Sequence, residues 1–272
     1  EISCSLVGSE MCIRDSSYVL LENSSSAAQA FEKLIREFPL SSLARKAGIQ
    51  LGLLYYNDNQ PEKALAAYKQ VISNYPGSEE AKIALQDLKS VYIDLNDINA
   101  YASYVNSIGG NIRLEVGEQD SLTYIAAEKL FMRGDNDGAR RSLINYLQTF
   151  PEGAFSSNAN FYLGSIAFAK KEFDEAIQRF KSVIASGDTK FLEESVARTA
   201  EIEYLSKDYP AALESFKRLQ IVAENPENRQ AARLGIMRCA LQTGQQKDAL
   251  LAADELLSLI HISEPTRLQL IS

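Results

Sequence analysis

Histidine is almost missing from this sequence: the 272 residues hold a single one, His261. There is no tryptophan, and the only cysteines are Cys4, Cys12 and Cys239. With so few of these side chains, a Ser-His-Asp or Cys-His catalytic set, a zinc cluster and a disulfide framework are all excluded over most of the chain. No apolar run approaches the roughly 18 residues that a bilayer-spanning helix needs. Positive charge is also short. Lys and Arg number 28 against 36 Asp and Glu, a net charge of −8, which is the wrong sign for gripping a phosphate backbone. Gly109-Gly110 is not followed by the Gly-Lys-Ser/Thr of a phosphate loop. Gly134-Asp135-Asn136-Asp137-Gly138 lacks the ligand series and closing Glu of a calcium loop, and reads as a turn. The expectation is a chain without catalysis, cofactor, metal or nucleic acid.

The two ends differ from what lies between them. Residues 6–16 (LVGSEMCIRDS) and 257–267 (LSLIHISEPTR) lack the helical periodicity of the rest. Both resemble translations of the two strands of a transposon-type sequencing adapter. Residues 1–16 and 257–272 are therefore set aside as adapter-derived tails, and 17–256 is expected to be an internal piece of a longer protein. The tails hold four acidic and two basic residues, which leaves −6 on the segment between them. That segment keeps only Cys239, in the apolar run Ile236-Met237-Arg238-Cys239-Ala240-Leu241, where a small buried residue is expected.

What is present is a repeat. The stretches LGLLYYNDNQPEKALAAYKQVISNYP (Leu51–Pro76) and LGSIAFAKKEFDEAIQRFKSVI (Leu163–Ile184) align directly. Each opens on Leu-Gly, then has an alanine (Ala64, Ala176), an aromatic four residues on (Tyr68, Phe180), and a valine (Val71, Val183). The alanine position recurs as Ala27, Ala64, Tyr101, Ala139, Ala176, Ala212 and Ala249, in steps of 37, 37, 38, 37, 36 and 37. Tyr101 is the one poor member. Pro39, Pro76 and Pro151 close three of the units. This pattern resembles the tetratricopeptide repeat. The resemblance implies an all-α fold: a right-handed superhelical solenoid of about six antiparallel helix hairpins.

Close packing explains the pattern. Each unit is a helix A and a helix B. Small residues such as Gly52, Gly164, Ala64 and Ala176 fall where the helices cross, and Tyr68 and Phe180 fill the space between hairpins. Pro61 and Pro210 fall at the start of B helices, where a missing N–H costs nothing. The map is a leading B helix at 27–37, five full hairpins, and a last one cut short at its end. The A helices start near Ser42, Glu79, Gln119, Phe155, Phe191 and Glu227. The B helices start near Pro61, Asp97, Asn136, Phe173, Tyr209 and Gln246. A long loop is expected from Gly109 to Gly117, where the alternation of Ile112, Leu114 and Val116 allows a short extended piece.

In such an array the A helices line the inner, concave wall. Position 12 of successive A helices reads Tyr56, Ile93, Phe131, Phe168, Tyr204 and Leu241. Position 5 reads Ile49, Gln86, Tyr124, Phe161, Ala197 and Leu234, and position 9 includes Glu128 and Glu201. Tyr56, Tyr124, Phe131, Phe161, Phe168 and Tyr204 are therefore the candidates for binding a protein or peptide partner in the groove. The alternative is that these rings pack into the seams between A helices. Glu203, an acid at neighbouring position 11, sits uneasily with this register.

The linkers Phe38-Pro39-Leu40-Ser41-Ser42, Tyr75-Pro76-Gly77-Ser78 and Phe150-Pro151-Glu152-Gly153 resemble those of tetratricopeptide proteins of the Gram-negative envelope. The outer-membrane assembly lipoprotein and the periplasmic Tol-associated coordinator are examples. That resemblance implies a periplasmic or outer-membrane-associated scaffold and carries over no binding residues. Two other readings stand beside it. One is a cytoplasmic co-chaperone, which needs a clamp of Lys, Arg and Asn; Lys46, Asn57 and Asn158 do not make a convincing set. The other is a regulatory array whose catalytic or DNA-binding domain lies outside this sequence.

Overall fold

A computed structural model describes residues 24–109, 113–187 and 189–263. Those residues form thirteen helices and no strand. The helices are α1 (Ser24–Glu37), α2 (Ser42–Asn57), α3 (Pro61–Asn74), α4 (Glu79–Asp94), α5 (Ile98–Ile108), α6 (Val116–Met132) and α7 (Asn136–Thr149). They continue as α8 (Ser156–Ala169), α9 (Phe173–Ser186), α10 (Thr189–Leu205), α11 (Tyr209–Val222), α12 (Pro226–Gln242) and α13 (Gln246–Ser263). The chain divides into two compact units, Glu1–Ala126 and Ala127–Ser272, with the division inside α6. Within each unit, helices A and B alternate as antiparallel hairpins. None of the described helices is long and apolar enough to cross a membrane.

Local chemistry sets the helix ends. Ser41, Ser78, Asp97, Asp135 and Asp208 each accept the N–H of the residue three further on, which satisfies a donor that the first turn leaves without a partner. The three B helices α1, α3 and α7 stop two residues before Pro39, Pro76 and Pro151, because the residue before proline is driven out of the helical region. The Gly134–Gly138 stretch is the turn into α7. Asp135 caps that helix, and Asp137 accepts a hydrogen bond from Lys170 at 2.5 Å.

One turn geometry joins A to B in all six hairpins. A single residue takes positive φ: Asn59 (58°), Asn96 (54°), Gly134 (83°), Lys171 (61°), Lys207 (62°) and Gly244 (75°). The next N–H then reaches back five residues, from Gln60 to Tyr55 O (2.8 Å), Asp97 to Tyr92 O (3.0 Å) and Asp135 to Leu130 O (3.0 Å). Glu172 to Ala167 O (2.9 Å), Asp208 to Glu203 O (2.9 Å) and Gln245 to Ala240 O (2.8 Å) complete the set. This is the Schellman closure, which satisfies carbonyls at the end of helix A. Glycine and asparagine tolerate it, but a lysine held there costs about 1–2 kcal/mol. Lys171→Gly and Lys207→Gly should therefore each raise stability by about 0.5–1 kcal/mol, after the greater freedom of glycine in the unfolded chain is discounted. A shift of the urea midpoint to higher concentration at constant slope would show it; an unchanged or lower midpoint would refute it.

The packing follows the repeat. Ala64, Ala139, Ala176 and Ala212 are each 0% exposed. A Cβ added at Gly52 would lie 2.4 Å from the Tyr68 ring, and one at Gly164 would lie 2.8 Å from the Phe180 ring. The missing side chain is what lets ring and helix touch. Tyr101 takes the place of alanine between α4 and α5; it is buried, its ring 5.9 Å from that of Tyr92. Cys239 is fully buried, and burial pushes its thiol up to about 11, far from a reactive nucleophile.

Three boundaries differ from the sequence expectation. Helix α6 begins at Val116 rather than near Gln119, so Val116 and Gly117 are helical, and residues 113–115 are neither helix nor strand. Ile112 lies outside the described residues. Val116 is 74% exposed, so this first turn buries nothing and leaves no apolar period to read. The leading helix starts at Ser24 rather than Ala27. The backbone of α13 is helical through Ser263, into the stretch set aside above as a tail. Extending an existing helix fixes few new dihedrals per hydrogen bond and needs no amphipathic pattern.

Candidate functional site

Helices α10 and α12 are successive A helices of the second unit, and α11 is the B helix between them. Side chains of α10 at Glu194, Ala197, Arg198, Glu201, Tyr204 and Leu205 form one stripe at helical spacing. Asn228, Ala231, Leu234, Gly235 and Arg238 form the facing stripe on α12. Between them lies a cleft of about 390 Å3, with Phe216 and Leu219 of α11 at its base. That size is within the range of ligand pockets. A Cβ at Gly235 would come within 2.5 Å of the Phe216 ring, so the missing side chain is what lets α12 pack against that ring at the base of the cleft. Tyr204 completes the apolar lining, its ring 5.7 Å from that of Tyr209 and 6.5 Å from that of Phe216.

The α10 wall carries its own ion pairs. Arg198 Nε donates to Glu194 Oε1 at 2.8 Å, and Arg198 Nη1 donates to Glu201 Oε2 at 3.0 Å. The same guanidinium lies 4.9 Å over the Phe168 ring of α8. At one end, Glu193 ties α10 to the start of α12. Its carboxylate accepts the N–H of Glu224 (2.9 Å) and of Asn225 (3.1 Å), and a side-chain N–H of Asn228 (2.7 Å). Burial pushes the Glu193 carboxyl up. The hydrogen bonds from Asn228, Glu224 and Asn225 and the charge of Arg229 outweigh it and hold the group below its usual range.

The six aromatic candidates separate. Tyr204 lines the cleft. Phe168 is half-buried against Phe173, at 6.2 Å, under Arg198. Phe131 is half-buried with its ring 4.6 Å from that of Tyr162, whose hydroxyl donates to Glu128 at 2.9 Å. Phe161 stacks on Phe191 at 4.3 Å across the α8–α10 seam. In the first unit, the Tyr56 hydroxyl donates to Asp94 across the α2–α4 seam. Tyr124 must be corrected. At 3% exposure it is core, not groove lining. Asp120 and Ala127, one turn before and after it on the same face of α6, are buried with it, so that face is covered. Glu203 is buried too, accepting from Ser215 Oγ at 2.5 Å and paired with Lys181 Nζ at 3.2 Å. It therefore lies off the open stripe, which keeps Glu201 and Tyr204 on it.

Sequence reasoning missed Arg198 and Arg238. For Arg238 a signal existed, because it follows Glu201 at position 9 of the next A helix. A second cleft, of about 660 Å3, lies between α1 and α3 in the first unit. There the Tyr55 hydroxyl donates to Glu32 at 2.7 Å and Lys63 lies 5.3 Å over the Tyr55 ring. Of the clamp residues weighed above, Lys46 and Asn57 are on α2 and Asn158 is on α8, in different units.

Two stretches match tetratricopeptide repeat family models: residues 47–78, within α2 and α3, and residues 126–189, from α6 through α9. The chain thus carries tetratricopeptide repeats, and that fold indicates a scaffold for protein–protein interaction. A comparison with curated proteins gives no match. Among solved structures, the chain is similar to the C-terminal part of a TPR repeat-containing protein from Cytophaga hutchinsonii, at 12% identity over 94% of this chain and 96% of that one, with a TM-score of 0.47. It is also similar to a tetratricopeptide repeat protein from Parabacteroides merdae, at 14% identity over 92% of each chain and a TM-score of 0.37. A third is pilF of Pseudomonas aeruginosa, at 17% identity over 79% of this chain and 91% of that one, with a TM-score of 0.41.

Proposed function

We propose that this chain, which carries tetratricopeptide repeats, is a non-catalytic scaffold that docks a peptide or partner helix on its A-helix face, with the α10–α12 cleft as the principal contact. The observation that carries this reading is the cleft itself. Its base and walls are apolar at Phe216, Leu219, Tyr204 and Leu234, and it lies between two A helices of a repeat fold in which the candidate rings Phe131 and Phe161 pack instead on rings of the neighbouring A helix. An apolar partner side chain seated there removes both surfaces from water. Tyr204→Ala and Leu234→Asp should each weaken partner binding by roughly 1–2 kcal/mol, about five- to thirtyfold in Kd. The thermal midpoint should move less than it does on truncation of a core ring. The partner is obtained by selection from a random peptide display library and measured by calorimetry. Undiminished binding by both variants would move the site off this cleft.

The cell envelope is the proposed location, and its support is the resemblance of the aromatic-proline linkers alone. Fractionation of cells that make the native protein tests it; recovery in the cytoplasm would rule it out.

A further inference from the structure

We propose that the cleft between α10 and α12 is polarised across its width and selects an acidic amphipathic segment: an apolar side chain on the base and, one turn along, a carboxylate on Arg238. This rests on the reading of the cleft as a docking site.

The two walls are related by the repeat. Glu201 and Arg238 occupy the same position of successive A helices, so they stand at one level on opposite sides of the cleft. Opposite charges so placed would be expected to bridge, yet they do not. Glu201 is held along its own helix by Arg198, at 3.0 Å, and Arg198 is also held by Glu194 at 2.8 Å. The α10 wall therefore carries two carboxylates on one guanidinium and is negative by one charge. Arg238 on the α12 wall is exposed and, among the described residues, has no hydrogen-bond or ion-pair partner. One wall is closed on itself and slightly negative; the other presents a free cation.

Position along the groove adds a distance. Leu234 and Arg238 are four residues apart on α12, about 6 Å along the axis at the helical rise. A partner that seats an apolar side chain near Leu234 and Phe216 meets Arg238 with a group about 6 Å further on. On a docked helix that is the residue three or four away. A carboxylate there gains a charge-assisted hydrogen bond next to an apolar surface. A lysine there faces like charge, and would find opposite charge only on the α10 wall, where both carboxylates are already engaged. The polarity thus also fixes which flank of the partner faces which helix.

The experiment uses three synthetic helical peptides with one shared leucine ridge and Glu, Gln or Lys one turn from the central leucine. Their affinity for the full chain is measured by fluorescence anisotropy. The Glu peptide should bind about tenfold tighter than the Lys peptide, with Gln between them, and the difference should shrink as salt shortens the screening length. Arg238→Glu should reverse the order and Arg238→Gln should flatten it. Arg238 is exposed and unpaired, so these variants should fold, and circular dichroism checks that they do. If all three peptides bind equally and Leu234→Asp abolishes them all, the polarity is refuted while the docking site stands. If none binds at about millimolar concentration, the docking reading falls with it.

Discussion

Phe180→Ala should destabilise the protein by about 3–5 kcal/mol, the largest single loss expected in this chain. Phe180 is 0% exposed and packs with Ala167, Ala176 and Ile202, with Phe161 at 6.1 Å. Its ring fills the space that Gly164 leaves by having no Cβ. Removing it opens a cavity with helices on both sides, and neither can collapse without dragging its hairpin. In a repeat fold, stability is approximately a sum of units and neighbour interfaces. The loss should therefore concentrate in α8–α10, and amide exchange there should rise far more than in the first unit. Gly164→Ala attacks the same contact from the other side and should destabilise as well. Denaturation by urea, with exchange measured helix by helix, decides the matter; a loss below about 1 kcal/mol would mean that this ring is not the packing element described.

Alkali should unfold the first unit through its buried tyrosines. Burial, and secondarily the charge of Glu118, pushes the Tyr101 hydroxyl up to about 12. Burial does the same to Tyr68, in the same direction, with the nearby Asp87 adding to it. An unfolded tyrosine ionises near 10. The folded state therefore holds its proton where the unfolded state has lost it. The stability tied to that proton is intact below about pH 10 and is lost as pH rises toward 12. A displacement of about two pH units corresponds to about 2–3 kcal/mol for Tyr101 alone. Thermal midpoints taken between pH 8 and 11.5 should fall steeply above about pH 10. Tyr101→Phe, which keeps the ring, should lessen the fall. A flat profile, or one unchanged in Tyr101→Phe, would show that this hydroxyl is not sequestered.

The repeat was readable because it is a packing rule written in residue size. Alanine where helices cross, an aromatic four residues later and proline after helix B recur at a nearly constant step. Apart from the leading helix α1, the observed B helices start at or within one residue of where that step puts them. The rule fails where no packing enforces it. The exposed first turn of α6 has no apolar period, and the extension of α13 needs none. The left-handed residue of each A–B turn shows as a signal at Asn59, Asn96, Gly134 and Gly244. At Lys171 and Lys207 it leaves no trace, because there the closure of the hairpin imposes the conformation on a residue that does not favour it.

The sequence alone determined that this chain is a series of helical hairpins and where nearly all of them begin and end. Periodicity carries that much, since a helix's own pattern records which of its faces are apolar. The tertiary structure alone decided which of those faces are covered. Tyr124 and Tyr204 both lay on the open stripe by spacing, yet one is core and the other lines a cleft. Arg198 and Arg238 look alike in sequence, yet one is closed into a pair of carboxylates and the other stands free. Whether a ring or a charge is covered depends on the side chains of the neighbouring helix and on distances of an ångström or less. A one-dimensional period does not encode those distances.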